Sequence, residues 1–296
     1  MKNVKTILFT AMASMMLASC GTTSTVPITG RKHNLLVTDA QVLSLSNQQY
    51  SEFMKTAKVS TNATNTAMVK RVGQRLANAV ESYLRNNGMS SEIQNFSWEF
   101  NLVQNKEANA FCMPGGKIVV YEGLLPITQN EASLAIVLGH EIAHAVAKHS
   151  AEQMSKKLRQ QYGTQIGSAV VGTLFGSDAA SIGTAIAQQG FSLANLKYSR
   201  EDETEADHMG LIFAAMAGYD PEVAISFWQR MSAASGSNQS DFLSDHPSDA
   251  KRIAALKQEM PEALKYYAAS GYAKQTKTST TKKTTTKKKT TTKKRR

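Results

Sequence analysis

Cysteine is scarce in this sequence: only Cys20 and Cys112 occur among its 296 residues. This scarcity excludes the disulfide framework on which many small secreted domains depend. The chain also lacks any continuous apolar stretch of about 18 residues, the length that a membrane-spanning helix requires. Its Gly-, Ala- and Ser-rich segment Gly163–Gly190 is interrupted by Asp178 and small polar residues, and predicts packed helices or a mobile flap. With 42% hydrophobic residues, the chain can bury the core of one sizeable domain.

The N-terminus has the pattern of a secretion signal that ends in a lipid attachment site. Lys2 and Lys5 precede an apolar stretch from Ile7 to Leu17, and Leu17-Ala18-Ser19-Cys20 follows. This last segment resembles the bacterial lipobox, which implies cleavage before Cys20 and a diacylglycerol group on its sulfur. An ordinary signal peptide followed by a chance cysteine is the alternative. Acylation would anchor the mature protein to a membrane without a spanning helix.

These signals assign residues 1–19 to a lipoprotein signal peptide and residues 20–38 to a lipidated linker. We therefore expect the protein in the bacterial cell envelope, anchored to the outer membrane and facing the periplasm. After cleavage, Cys20 is acylated and only Cys112 keeps its thiol, so the mature chain cannot form an intramolecular disulfide. We interpret Cys112 as a small core residue on a strand and not as a nucleophile.

The C-terminal segment consists almost entirely of Lys, Arg and Thr. From Lys274 to Arg296 it carries eleven basic residues and no acidic one, which equals the net charge of +11 for the whole chain. Such a composition buries too little apolar surface to fold, so residues 273–296 are predicted to be a disordered tail. The tail could bind anionic lipid or lipopolysaccharide, and a solvated tail without a partner is the alternative. No specific nucleic-acid recognition is expected.

The most informative motif is His140-Glu141-Ile142-Ala143-His144, which lies in a predicted helix from Glu131 to His149. Residues four apart on a helix point the same way, so the two imidazoles can bind one Zn²⁺. Glu141 then lies beside the open coordination position, where its carboxylate can accept a proton from water. Apolar residues on nearly every side of the helix predict that it is buried. Two core histidines that hydrogen-bond to their neighbours are the alternative.

Two histidines do not complete a catalytic zinc site, so a third ligand is expected downstream. The metzincin pattern does not fit, because Ala147 and Ser150 occupy the positions of its glycine and its third histidine. His149 is also excluded, since it would lie about 180° around the predicted helix from His140 and face away.

A second predicted helix supplies the better candidate. Ser199 and Asp202 are typical of an N-cap pair that starts this helix. Glu203 and Asp207 would share one face, so Glu203 can bind zinc and Asp207 can hold a ligand histidine by its second ring nitrogen. For Glu203, a favourable charge at the helix N-terminus is the alternative.

At this point the sequence resembles a known family. The HEIAH and SREDETEAD segments are similar to those of the zinc metallopeptidases that include HtpX, the CAAX prenyl endopeptidases, mitochondrial Oma-type proteases and BepA-like proteins. The resemblance implies a gluzincin peptidase in which His140, His144 and Glu203 bind zinc and Glu141 is the base. Other segments match in the family's order. They are Asn109 to Ile118 (NAFCMPGGKI), Glu122 to Leu125 (EGLL), and His246-Pro247 with Arg252-Ile253.

The resemblance also suggests roles outside the zinc ligands. It implies an active-site location for His246, as a donor to the oxyanion or as a ligand of the open zinc position in a resting form. A loop histidine is the alternative. Asn109, Ala110 and Phe111 could belong to an edge strand that binds an extended peptide, and an ordinary core sheet is the alternative. We interpret Arg252 as anchoring its helix to a carboxylate.

Together these observations predict an α+β, mostly helical zincin domain over residues 39–272, with a small sheet before the HExxH helix. The predicted activity is that of a zinc-dependent endopeptidase, with one Zn²⁺ per chain, acting on misfolded or misassembled envelope proteins. A non-catalytic zincin that acts as an assembly chaperone is the alternative, since it would keep every ligand. Periodicity predicts helices at Asp39–Lys58, Asn65–Asn87, Pro221–Ala234, Ala250–Met260 and Glu262–Ala269, and strands at Ser97–Gln104 and Lys117–Tyr121.

Overall fold

The computed structural model describes residues 22–161, 190–235 and 250–272. Several features of the sequence lie outside these ranges: the signal peptide, Cys20, almost all of Gly163–Gly190, His246 and the basic tail. Within the described ranges helices predominate over two small sheets, so the α+β class predicted from the sequence is confirmed. None of the helices in these ranges combines the length and the apolar character needed to cross a membrane.

The elements are named in chain order. The strands are β1 (Thr22–Thr25), β2 (Lys32–Leu35), β3 (Glu99–Val103), β4 (Ala110–Met113) and β5 (Lys117–Tyr121). The helices are α1 (Asp39–Thr56), α2 (Ala63–Asn86), α3 (Ser90–Ile93), α4 (Leu125–Thr128), α5 (Glu131–Val146), α6 (described over 149–161), α7 (Arg200–Met216), α8 (Val223–Ser235) and α9 (Ala250–Ala269).

The small sheet predicted before the HExxH helix has the order β3–β5–β4. Central strand β5 is parallel to β3 and antiparallel to β4. The turn between β4 and β5 uses Gly115 and Gly116 at φ values of +86° and +82°, a region that glycine adopts without steric cost. Strand β4 packs against α5, so one side of the sheet lies alongside the motif helix.

Helix α5 is buried on all sides, as its apolar pattern predicts. Asn130 caps its start, because its side chain accepts a hydrogen bond from the backbone N–H of Ser133 at 2.8 Å. Each residue from Ser133 to His144 is buried. Burial of each large aliphatic side chain in this run contributes about 1.5–3 kcal/mol of transfer free energy. The motif therefore lies inside the hydrophobic core and not on the surface.

Residues 22–35 are folded, in contrast to the linker predicted there. Strands β1 and β2 form an antiparallel hairpin in which Thr22 pairs with Leu35. Val26 in its loop belongs to the main hydrophobic core, and Arg31 forms an ion pair with Glu205 of α7. These contacts join residues that are far apart in the sequence. Because both strands are short and mostly polar, the local sequence pattern did not predict them.

Helix α9 runs continuously from Ala250 to Ala269, although two helices separated at Pro261 were predicted. Proline lacks a backbone N–H and so removes one hydrogen bond within the helix. Leu256 and Ala263 are buried on either side of it and hold both halves against the core. Packing therefore maintains one helix through this position.

Candidate metal centre

Two buried helices, α5 and α7, cross at a pair of glycines. A Cβ atom on Gly139 would lie 2.6 Å from the carbonyl oxygen of Gly210. A Cβ atom on Gly210 would lie 2.6 Å from the backbone nitrogen of His140. Since real Cβ atoms do not approach backbone atoms so closely, the crossing requires glycine on both helices. This contact brings the HExxH motif against the face of α7 that carries Glu203 and Asp207.

The start of α7 is fixed by the predicted N-cap pair, which is confirmed. The Ser199 hydroxyl accepts a hydrogen bond from the backbone N–H of Asp202 at 3.2 Å. In return, the Asp202 carboxylate accepts one from the backbone N–H of Ser199 at 3.0 Å. The reciprocal bonds satisfy donors that the first turn of a helix leaves unpaired. Glu203 consequently lies in the first turn, and Asp207 lies one turn later on the same face.

His140, His144 and Glu203 come together as a compact set of possible metal ligands, and all three are buried. The Nε2 atoms of the two histidines are 3.1 Å apart. The Glu203 carboxylate oxygens lie 3.4 Å from Nε2 of His140 and 3.3 Å from Nε2 of His144. Tetrahedral coordination with metal–ligand distances of about 2.0–2.1 Å places ligand atoms roughly 3.3–3.4 Å apart. The spacing therefore fits a small tetrahedral cation such as zinc.

Asp207 and Arg252 contact the second ring nitrogen of His140. Nδ1 of His140 lies 2.9 Å from Oδ1 of Asp207, and Nη2 of Arg252 donates to the same oxygen at 2.6 Å. Arg252 stacks over the ring of Trp228 at 3.7 Å, which fixes the guanidinium in place. The prediction that Arg252 anchors its helix to a carboxylate is confirmed. That carboxylate is Asp207, and the sequence did not show that Arg252 would be its partner.

His149 departs from its predicted position. Helix α5 ends at Val146, and Lys148 adopts a left-handed φ of +57°, so the chain turns before α6 begins. The His149 ring therefore points back to the site, with its Nδ1 2.8 Å from Nδ1 of His144. The prediction that it faces away was wrong because it assumed one continuous helix. His149 contacts a candidate ligand and does not belong to the ligand set itself.

The protonation of the site follows from burial and hydrogen bonding. Burial lowers the pKa of His144 well below its ordinary value, so its ring is neutral at pH 7. Burial also opposes ionisation of Asp207, but the charge of Arg252 and the contact with His140 outweigh it and lower the pKa of this carboxyl. For His140, hydrogen bonds to Asp207 and Glu203 outweigh burial and raise the pKa to about 9. A metal ion bound at its Nε2 would displace that proton.

Glu141 is buried on α5 beside Cys112 of β4 and Tyr198. Burial, together with the Glu141 charge, raises the pKa of the Cys112 thiol well above its usual value. A thiol that stays protonated is a poor nucleophile, which supports the predicted core role of Cys112. Tyr198, a residue that sequence reasoning missed, stacks on His144 with ring centroids 4.0 Å apart.

The three residues predicted to bind substrate differ in the direction of their backbone hydrogen-bonding groups. The carbonyl of Asn109 accepts a hydrogen bond from the backbone N–H of Tyr121 at 3.0 Å, so it faces β5. Hydrogen-bonded and non-hydrogen-bonded pairs alternate along an antiparallel ladder, which directs Phe111 to β5 as well. Ala110 and Cys112 direct their backbone groups away from β5. Of the predicted trio, only Ala110 directs main-chain groups to the outer side of β4, and its N–H there donates to Oδ1 of Asn109 at 2.8 Å.

These features define a class: an HExxH metallopeptidase whose third candidate ligand is a glutamate on a downstream helix. The chain belongs to peptidase family M48, whose model matches residues 63–260. The family resemblance stated from the motifs is therefore confirmed. The matched residues include the sheet β3–β5–β4, the crossing helices α5 and α7, and the first part of α9.

Curated relatives agree with this assignment. The chain is 39% identical over 180 residues to the mitochondrial metalloendopeptidase OMA1 of Arabidopsis thaliana, covering 60% of this chain and 35% of the relative. It is 28% identical over 253 residues to the Saccharomyces cerevisiae OMA1, covering 82% and 71%. It is 25% identical over 266 residues to the beta-barrel assembly-enhancing protease of Escherichia coli, covering 86% and 51%. The matched regions thus span between 35% and 71% of the length of these relatives.

Proposed function

We propose that the protein is a zinc-dependent endopeptidase that hydrolyses peptide bonds of misfolded or misassembled cell-envelope proteins. The observation that carries the proposal is the convergence of His140, His144 and Glu203, with Glu141 on the same buried helix as the two histidines. Zinc is favoured over harder cations because two of the three ligand atoms are imidazole nitrogens. The names of the relatives support proteolysis as the activity.

The chemistry divides between the metal and the residues of this chain. Zinc bound by His140, His144 and Glu203 would supply Lewis acidity and a water molecule of lowered pKa, about 7. Glu141 accepts the proton of the attacking water and returns it to the leaving amine. Asp207, held by Arg252, keeps the ring of His140 oriented during the reaction.

An extended substrate fits beside β4. The main-chain groups that Ala110 and Cys112 direct away from β5 can pair with one more strand once the N–H of Ala110 releases Oδ1 of Asn109. Cys112 lies close enough to Glu141 for that charge to raise the pKa of its thiol. Main-chain hydrogen bonds do not depend on substrate side chains, so this mode of binding tolerates many sequences. Such tolerance suits a protease that acts on unfolded proteins.

For His246, we propose an active-site role that the kcat of His246→Ala would test.

The competing function is an assembly chaperone with a silent zinc site. It is favoured by the name of the Escherichia coli relative, which describes enhancement of β-barrel assembly. Incubation of the purified protein with an unfolded protein, with and without a chelator, distinguishes the two. We expect cleavage that stops on chelation and resumes with added zinc. Protection of the unfolded protein from aggregation, without any cleavage, would support the chaperone.

For location, we propose a lipid anchor on Cys20 at the outer membrane, facing the periplasm. The lipobox-like segment before Cys20 supports this proposal. Mass spectrometry of the mature N-terminus is expected to find Cys20 with its lipid and no preceding residue. A Cys20→Ala protein serves as the control and is expected to carry no lipid. An unmodified mature N-terminus at Gly21 would instead mean a secreted protein without an anchor.

We propose that the basic tail binds anionic lipid or lipopolysaccharide and takes no part in chemistry. Each cation contributes roughly 1 kcal/mol near an anionic membrane, and this attraction weakens within a Debye length of about 8 Å in physiological salt. Deletion of residues 274–296 from an anchor-free protein is expected to reduce its salt-sensitive binding to anionic vesicles. A variant with the same length and glutamine at the eleven basic positions is the matched control. Loss of activity on a small peptide would contradict the proposal.

A further inference from the structure

The two histidine ligands are supported differently on the side away from the metal. His140 reaches a carboxylate directly, through Asp207 at 2.9 Å. His144 instead reaches a second histidine, His149, which is fully buried. The mechanism above uses neither His149 nor the residue on its far side, Glu205. A buried histidine pair of this kind needs a defined direction for its hydrogen bonds.

A metal bound at His144 would fix that direction. Nε2 of His144 faces the ligand triangle, so a metal takes its lone pair and Nδ1 carries the proton. Nδ1 of His149, 2.8 Å away, must then accept that hydrogen bond. His149 is left with its proton on Nε2, which lies 3.0 Å from Oε2 of Glu205. A carboxylate can only accept, so Glu205 selects this tautomer of His149 and thereby that of His144.

Glu205 is itself held by the N-terminal hairpin. Arg31, the last residue of the loop before β2, donates to Oε2 of Glu205 from Nε at 2.9 Å and from Nη2 at 2.7 Å. Thr29 donates to the other carboxylate oxygen at 2.5 Å. Arg31 also pairs with Glu152 of α6, so its guanidinium joins both helices to the hairpin. The hairpin therefore determines where the Glu205 oxygens lie.

We infer that His149 is a positioning residue for the metal ligand His144, with Glu205 setting its tautomer and the hairpin loop 26–31 holding Glu205. This inference rests on the proposed zinc site. It gives the N-terminal hairpin a part in building a centre that lies more than a hundred residues downstream. It also explains why α5 must end at Val146, since only the turn at Lys148 allows the His149 ring to reach His144.

The test measures the zinc dissociation constant by competition with a chromophoric chelator, together with the absorption spectrum of the Co²⁺-loaded protein. His149→Leu removes the acceptor and is expected to raise the zinc Kd about 10- to 100-fold. His149→Asn places an amide oxygen near the position of Nδ1, so it is expected to restore most of the affinity. The Co²⁺ spectrum should shift in the leucine variant and return towards the parental one with asparagine.

A matched control separates positioning from general destabilisation. Tyr50→Leu removes another buried side chain that contacts a carboxylate, at 3.0 Å from Glu99, and it touches neither a candidate ligand nor the hairpin contacts of Glu205. It is expected to leave the zinc Kd within about twofold. Glu205→Gln should weaken zinc binding in the parent but not in the His149→Asn background, because asparagine has no second nitrogen to contact residue 205. Glu205→Gln in these two backgrounds still tests the inference if His149→Leu does not fold.

The outcomes separate this inference from the function on which it depends. If the parent binds no zinc, the proposed enzyme and the inference both fail. If the parent binds one zinc ion and hydrolyses protein while His149→Leu keeps the parental Kd and Co²⁺ spectrum, only the inference fails. Equal losses of zinc affinity in His149→Leu and Tyr50→Leu would likewise mean that His149 contributes only to general stability.

Discussion

Glu141→Gln protein is expected to bind zinc with the parental stoichiometry and to hydrolyse an unfolded protein roughly 10²–10⁴-fold more slowly. The amide has nearly the shape of the carboxylate, so the fold of the buried helix α5 should be kept. It cannot accept a proton from water at neutral pH, which removes the base and leaves the ligands in place. Elemental analysis gives the zinc content, and a kinetic measurement on the same sample gives the rate of hydrolysis.

Glu201→Gln is the matched control for this variant. Glu201 is exposed in the first turn of α7, two residues from Glu203, and is not among the metal ligands. Its substitution should leave both zinc content and rate unchanged. Parental hydrolysis by Glu141→Gln would show that another residue acts as base. Loss of zinc from Glu141→Gln would place Glu141 among the residues that build the site.

Gly210→Val is expected to disrupt the metal centre without touching any ligand. Its Cβ atom would meet backbone atoms of His140 and Gly139 at 2.6–2.8 Å, and backbone cannot yield as the end of a side chain can. Helices α5 and α7 must separate, which moves His140 and His144 away from Glu203. Overpacking of this kind typically costs about 1–3 kcal/mol of unfolding free energy. We expect weaker zinc binding and loss of hydrolysis together with a lower melting temperature.

Thr204→Ile adds bulk to the exposed face of the same helix and controls for the effect of a larger side chain. It should change the zinc Kd and the melting temperature little. Unchanged zinc affinity in a folded Gly210→Val protein would contradict the role assigned to the crossing. Gly139→Ala offers a second probe of the same contact, from the opposite helix.

The helices that carry the site could be predicted because helix formation, capping and side-chain direction depend on residues close together in the sequence. The long apolar run around the HExxH motif identified α5, and the Ser199–Asp202 pair identified the start of α7. Four-residue spacing then placed two candidate ligands on α5, as well as Glu203 and Asp207 on α7. Periodicity and the family motifs added the small sheet before α5.

Features that depend on distant contacts could not be predicted in this way. The position of His149 depends on one left-handed residue, Lys148, inside what looks like a continuous helix. The hairpin at residues 22–35 depends on ion pairs to α6 and α7 that no short pattern encodes. The close contact at Gly139 could not be predicted from its own segment, because its partner Gly210 lies on another helix. Tertiary packing decided each of these cases.

The central claim is that His140, His144 and Glu203 together bind one zinc ion. Its most direct test is the zinc content of purified, folded Glu203→Ala protein, measured by elemental analysis beside the parent and a Glu201→Ala control. We predict one zinc ion per chain in the parent and in the control, and a large loss in Glu203→Ala, because its carboxylate completes the ligand triangle. Full zinc retention by the folded Glu203→Ala protein would contradict the account.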